Sequence, residues 1–140
     1  MTFKKILPYL LIIIILIITI FSAIFLIFTP TDNPFTDKKI DSAINEAIVS
    51  NKTVILLFYA DWCPVCHKFF NTTLSNNSIE EALNKNYIVV YVETSQNPGI
   101  RDKYGVKKRP TLIFLNKNRK EEEKRIEGYV DSQKLLSIIK

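Results

Sequence analysis

The 140-residue chain predicts an α/β fold, a mixed central sheet flanked by helices, preceded by one N-terminal transmembrane helix. Three observations carry that prediction. An almost wholly apolar run covers Ile6–Phe28. Three short runs rich in β-branched and aromatic residues, TVILLFY, YIVVYV and TLIFL, follow it, separated by stretches of helical periodicity; that alternation builds β-α-β units. The only two cysteines stand three residues apart, just after the first of those runs.

The apolar run contains no charged residue. As a helix it would extend about 34 Å, enough to cross a hydrocarbon core of about 30 Å with some tilt. Pro8 sits near its start, where proline costs a helix least. A cleaved signal peptide has a shorter apolar region, about 7–15 residues, followed by small residues at a cleavage site. Here Thr29-Pro30-Thr31-Asp32 follows, and Ser22-Ala23 lies inside the run, so an uncleaved anchor is expected. No cysteine follows to carry a lipid. Lys4 and Lys5 precede the run; Asp32 and Asp37 come first beyond it, with Lys38 and Lys39 farther out. This bias puts residues 1–5 in the cytoplasm and the folded part outside. The expected organisation is a cytoplasmic N-terminus (1–5), an anchor (6–28), a linker (29–36) and one folded domain (37–140). The chain has 19 basic and 14 acidic residues. Two of the basic ones are Lys4 and Lys5, and no dense basic stripe interleaves with aromatics, so the charge gives no reason to expect a nucleic-acid partner.

Within the folded part, Ile40, Ala43, Ile44, Ala47 and Ile48 form one helical stripe over Asp37–Asn51. Thr53–Tyr59 reads as a buried strand. A helix from Cys63 to about Thr73 is entered through Asp61 and Trp62. Ser78–Lys85 reads as a short helix with Ser78 as cap and Glu81 three residues on, a capping box. Tyr87–Val92 is a second core strand, Pro98–Tyr104 a short helix ended by Gly105, and Thr111–Leu115 a third strand. After a turn at 116–118, the polar Lys120–Glu127 suits a sheet edge, and Gly128 breaks it. Asp131 caps a last helix that turns Leu135, Leu136, Ile138 and Ile139 inward. Strands separated by helices predict parallel pairing, and the last two strands a hairpin.

The cysteines lie in Trp62-Cys63-Pro64-Val65-Cys66. A spacing of three brings both sulfurs to one helix face, within reach of a disulfide. Cys63 falls at the helix N-terminus, where free N–H groups and the dipole favour a thiolate. Pro64 suits the first helical turn. Cys63 can then attack a substrate disulfide, and Cys66, one turn in, can resolve the mixed disulfide. A purely structural disulfide is poorly motivated, because so small a loop removes little chain entropy. A four-ligand zinc site lacks ligands, since the only histidine is the adjacent His67. A two-coordinate soft-metal site is the remaining metal reading.

From Phe35 to the C-terminus the chain resembles the thioredoxin superfamily. Phe58-Tyr59-Ala60-Asp61-Trp62-Cys63-Pro64-Val65-Cys66 is similar to the family's active-site stretch, Tyr104-Gly105-Val106 with Arg109-Pro110-Thr111-Leu112 to its cis-proline segment, and Gly128 to the glycine before its last helix. Tyr-Ala-Asp-Trp-Cys and Glu127-Gly128-Tyr129-Val130-Asp131 resemble the C-terminal domain of DsbD-type thiol:disulfide interchange proteins, and Cys-Pro-Val-Cys resembles thioredoxins of cytochrome c maturation. The resemblance implies a thioredoxin fold, Cys63 and Cys66 as the catalytic pair, and a cis Pro110 beside them. It also implies that the backbone at Arg109 pairs with a substrate strand, and that Trp62 and Pro64 border the site. Two departures stand out. Where the family carries a buried acid, six residues before the first cysteine, this chain has Leu57. Before Pro110 it carries Lys107-Lys108-Arg109, a positive cluster expected to border the site, favour the Cys63 thiolate and attract acidic partners; a solvated basic turn is the plainer alternative. His67 stands where the family often has lysine, and an exposed helix position is expected for it rather than proton shuttling.

The implied function is an extracytoplasmic protein-disulfide reductase at the plasma (inner) membrane, working on exported proteins, apocytochrome c among them. It would use its own redox-active disulfide and no other cofactor or metal, and draw electrons from a separate membrane donor of the DsbD/CcdA type. A protein disulfide oxidase or isomerase is the alternative of the same chemistry, and a thiol-based metal chaperone or redox sensor the non-enzymatic one.

Overall fold

A computed structural model describes the backbone of residues 3–27, 34–116 and 122–140, and side chains over 9–23, 39–116 and 122–140. The chain divides into two units, one up to residue 30 and one from residue 31. The first is helix α1 (Phe3–Ile27). Over residues 9–23 it exposes apolar side chains on every face, and its one hydroxyl there, Thr19, donates back to the Leu16 carbonyl. That described stretch is about 22 Å long, and among the described residues no helix is long and apolar enough to cross a membrane. Residues 1–2 and most of the expected linker lie outside the described residues.

The second unit runs α2 (Pro34–Ser50), β1 (Thr53–Tyr59), α3 (Pro64–Phe69) with a π turn (Phe70–Leu74), α4 (Asn77–Asn86), β2 (Tyr87–Glu93), α5 (Pro98–Lys103), β3 (Thr111–Leu115), β4 (Glu122–Glu127) and α6 (Ser132–Ile139). The sheet order is β2-β1-β3-β4. β1 is central and its five middle residues are buried, as its apolar composition requires. Its alternating side chains serve two layers. Val54, Leu56 and Phe58 pack on one face with α2 through Ile40, Ala43, Ile44 and Ala47. Ile55 and Leu57 pack on the other with Phe69, Ile79, Leu83, Leu135 and Ile139 from α3, α4 and α6. β4 lies at the edge, with exposed or half-exposed side chains; residues 117–121, which include most of the expected turn and the first part of the expected strand, lie outside the described residues.

Three expectations need correction. β1 and β2 are parallel as expected, but β3, also separated from them by a helix, runs antiparallel to β1, Phe58 opposite Thr111 and Val54 opposite Leu115. The connection, residues 94–110, is long enough for a crossover but is taken up by turns and the six-residue α5 at the end of the sheet where β2 finishes. The chain therefore re-enters the sheet at the end it left. Second, the cap of α4 is Asn76, whose Oδ1 accepts from the Ser78 amide at 3.0 Å; Ser78 is already inside the helix. Third, α2 begins at Pro34, ahead of Asp37, because proline at a helix start gives up no needed donor. The expected cap of α6 is present: Asp131 Oδ1 accepts from Lys134 N at 2.9 Å.

Candidate active site

The site forms where the C-terminal ends of β1 and β2 meet the start of β3. β1 ends at Tyr59, and the turn through Ala60, Asp61 and Trp62 is closed by a Cys63 N–H to Ala60 carbonyl bond of 3.1 Å. Cys63 is the N-cap of α3: its backbone is extended, and its Sγ accepts the Cys66 N–H at 3.2 Å. Pro64 follows in the first turn, where its missing N–H costs nothing. Cys63 and Cys66 are joined as a disulfide with Cα atoms 5.2 Å apart. Cys66 is fully buried and Cys63 keeps 7 % exposure, so one sulfur is shielded and the other borders solvent. Ala60, Tyr59 and Phe70 pack around the pair. His67 Nε2 donates to the Asp61 carbonyl at 2.7 Å, pinning the turn to the helix.

Facing the pair is the segment before β3. The Arg109–Pro110 peptide is cis, and Pro110 is buried. The Arg109 carbonyl oxygen lies 3.9 Å from Cys63 Sγ; it can accept a hydrogen bond from that sulfur once reduction gives it a proton. Gly128 N–H donates to the Pro110 carbonyl at 2.7 Å, and Thr111 Oγ1 donates to the Lys108 carbonyl at 2.9 Å, so both flanks of the proline are tied down. Trp62 is 65 % exposed; its Nε1 donates to Ser95 Oγ at 3.2 Å, and the Arg109 guanidinium sits over its ring at 5.1 Å. Pro64 and Val65 are exposed beside it.

The six expected site residues thus lie together, Trp62 and Pro64 exposed, Arg109 half-buried, and Cys63, Cys66 and Pro110 buried beneath them. Of the basic triplet, Arg109 is half-buried at the site against Trp62, whereas Lys107 and Lys108 point into solvent. Sequence reading did not single out Ser95, which holds Trp62, or Glu93 at the end of β2, 7 % exposed, with Oε2 accepting from Gln96 N at 2.7 Å and Oε1 without a partner among the described residues. A glutamate at a strand end looks like an ordinary boundary residue, so nothing in the sequence marked it. Tyr59 keeps its proton to higher pH than usual: burial is the main cause, then the charges of Asp61 and Glu93.

With this geometry in view, relatives sharpen the picture. A family of thioredoxin-like domains matches residues 40–140. The thiol:disulfide interchange protein DsbD of Photorhabdus laumondii is 32 % identical over 87 residues, 59 % of this chain and 15 % of that protein. DsbD of Escherichia coli K12 is 29 % identical over 111 residues, 75 % of this chain and 20 % of that protein. The chain therefore spans a fifth or less of the curated relatives it matches. Among solved structures, a thioredoxin from Thermus thermophilus superposes with a TM-score of 0.63 at 23 % identity, covering 71 % of this chain and 79 % of that one. The C-terminal domain of Neisseria meningitidis DsbD in its reduced form superposes with a TM-score of 0.60 at 20 % identity, covering 74 % and 93 %. At such identities these two speak for the fold.

Proposed function

The chain belongs to the thioredoxin-like domain family and is a thiol–disulfide oxidoreductase, and from that premise we propose that it reduces disulfides of exported proteins with Cys63 as attacking and Cys66 as resolving thiol. The observation that carries this reading is the asymmetry of the pair: Cys63 caps α3, takes the Cys66 N–H and borders solvent, while Cys66 is fully enclosed. An N–H aimed at sulfur and the positive end of a helix favour a thiolate at Cys63. That thiolate attacks one sulfur of a substrate disulfide; the substrate S–S bond breaks and its other sulfur leaves as a thiolate that takes up a proton. Cys66, losing its own proton, then attacks Cys63 Sγ, forming the Cys63–Cys66 disulfide and releasing the second substrate thiol. Two electrons pass from the protein to the substrate, and no cofactor beyond the cysteine pair is needed.

An extended substrate segment would lie along Arg109–Pro110 and pair with its backbone, with Trp62 and Pro64 as flanking apolar contacts. Arg109, held over Trp62, places one cation at the border of the site, which would favour acidic substrates. The sequence further supports anchoring through residues 6–28 with the folded domain on the extracytoplasmic side, since a helix apolar on every face suits lipid. Re-reduction there would require a membrane electron donor of the DsbD/CcdA type. The reduction potential of the pair tests the direction of flow. Equilibration with dithiothreitol or glutathione should give a value near about −270 mV. A value near about −120 mV would mark an oxidant and overturn the reductase assignment.

A further inference from the structure

We propose that Glu93 is the acid–base group that takes up the Cys66 proton when Cys66 attacks the mixed disulfide, acting through intervening water rather than by contact with the sulfur. The inference rests on the reductase reading of the cysteine pair and deepens it. Cys66 is fully buried, so its thiol must pass a proton to a group on the inner side of the site before it can attack. Leu57, the inward residue of β1 beneath α3, offers no such group.

The register of the sheet supplies one from the next strand. Glu93 stands beside Tyr59 in the parallel β1–β2 pair, as Tyr91 stands beside Leu57. Neighbours in register share a face, and side chains alternate along each strand, so Glu93 projects to the face that carries α3. Phe70 marks that face, 5.5 Å from the Tyr59 ring and 6.3 Å from the Tyr91 ring, and Tyr59 and Phe70 pack directly on the cysteine cluster. The carboxyl is more than nine-tenths buried and only half partnered. Gln96 N–H binds Oε2, while Oε1 has no donor among the described residues. A second buried acceptor of the same turn, Asn97 Oδ1, is likewise without a donor, although its Nδ2 donates to the Glu93 carbonyl at 2.8 Å. A buried acceptor left open costs free energy until a proton or a water fills it. Two such open acceptors within residues 93–97 fit a place where a proton arrives and leaves. The titratable groups that share its face are Tyr59 on β1, its register partner, and Tyr91 two residues back on β2, with Asp61 in the turn before α3 acting on the same Tyr59. Tyr59 holds its proton too firmly to act as the acceptor.

During the step, the Cys66 S–H bond breaks and Glu93 gains the proton. The Cys63–Cys66 bond forms as the Cys63–substrate bond breaks, and the electron pair leaves on the substrate sulfur, which is protonated from water; Glu93 then returns its proton to solvent. The test is Glu93→Gln in the full chain. We expect the resolution rate of a Cys63 mixed disulfide, followed by stopped flow, to fall roughly 10²-fold at neutral pH and to rise more steeply with pH than in wild type, because hydroxide must then take the Cys66 proton. The alkylation rate of Cys63 in the reduced protein should stay as in wild type. Unchanged resolution and pH profile would overturn the proposal. Glu93→Asp keeps a carboxyl at the same place and should recover much of the resolution rate; a Glu93→Asp protein that folds, as circular dichroism shows, yet resolves as slowly as Glu93→Gln would overturn the proposal. A wild-type protein that reduces no protein disulfide would instead refute the reductase reading, leaving the resolution rate of a small-molecule mixed disulfide at Cys63 to decide on Glu93.

Discussion

Cys63 accepts the Cys66 N–H at the solvent border while Cys66 is sealed inside, so the two cysteines should fail differently. Cys66→Ser is expected to accumulate a stable mixed disulfide with a substrate protein, visible on non-reducing gels, and Cys63→Ser none, with turnover lost in both. Arg109→Ala removes a ring contact of about 0.5–1 kcal/mol. Reduced Cys63 should then be alkylated more slowly at a given pH, and reduction of acidic substrates should slow a few-fold and become less sensitive to salt. The tyrosines supply a pH test. Burial raises the pKa of Tyr59, Tyr87 and Tyr91 above the ordinary value near 10. The folded state therefore holds these protons more tightly than the unfolded chain. That stabilisation is full below about pH 10 and is lost as pH rises through the folded values. The denaturation midpoint should accordingly drop above about pH 10. Tyr129, lowered chiefly by its hydrogen bond with Thr72, contributes with the opposite sign and should ionise first; Tyr129→Phe should delete the earliest step of a tyrosinate absorbance titration. At this scale the sequence made the reactive pair legible, because two cysteines at that spacing after a strand have few other uses. It hid Glu93 and Ser95, because their importance comes from neighbours on other strands and loops.

The elements that place the site depend on their ends. Asn76 and Asp131 each accept an amide of the helix they open, and replacing either by alanine should cost about 1 kcal/mol in chemical denaturation. Gly128 has φ +83°, and a Cβ there would meet nothing within 4 Å. The cost of Gly128→Ala is thus backbone strain alone, about 1 kcal/mol or more. Because Gly128 N–H holds the Pro110 carbonyl, that change should also raise KM for protein substrates. Strand positions were legible from composition, since β1, β2 and β3 fill with apolar residues wherever both faces are covered. The direction of β3 was not, because it follows from the path of the 94–110 connection, which stays at one end of the sheet, rather than from any residue within β3. The α4 cap was misplaced for a related reason: Asn76 and Ser78 are both good caps, and which one leads depends on where the π turn after α3 releases the chain.

For the whole molecule, the division near residue 30 suggests a direct experiment. The full chain should sediment with membranes and require detergent for release, whereas a fragment starting at residue 31 should stay in solution, fold and retain disulfide exchange. A full chain that remains soluble without detergent would end the anchor proposal. The sequence by itself determined the α/β class, the strand and helix positions, the cysteine pair and the kinship of residues 40–140 with thioredoxin-like domains, because these depend on local periodicity, turn chemistry and motifs within a few residues. Only the tertiary structure decided that β3 runs antiparallel, that Arg109 rather than the lysines beside it reaches Trp62, that the Arg109 carbonyl approaches Cys63, and that a half-partnered Glu93 pairs in register with Tyr59, which packs on the cysteines. Each of these joins residues far apart in the chain, and it is the folding of the sheet that brings them within reach of one another.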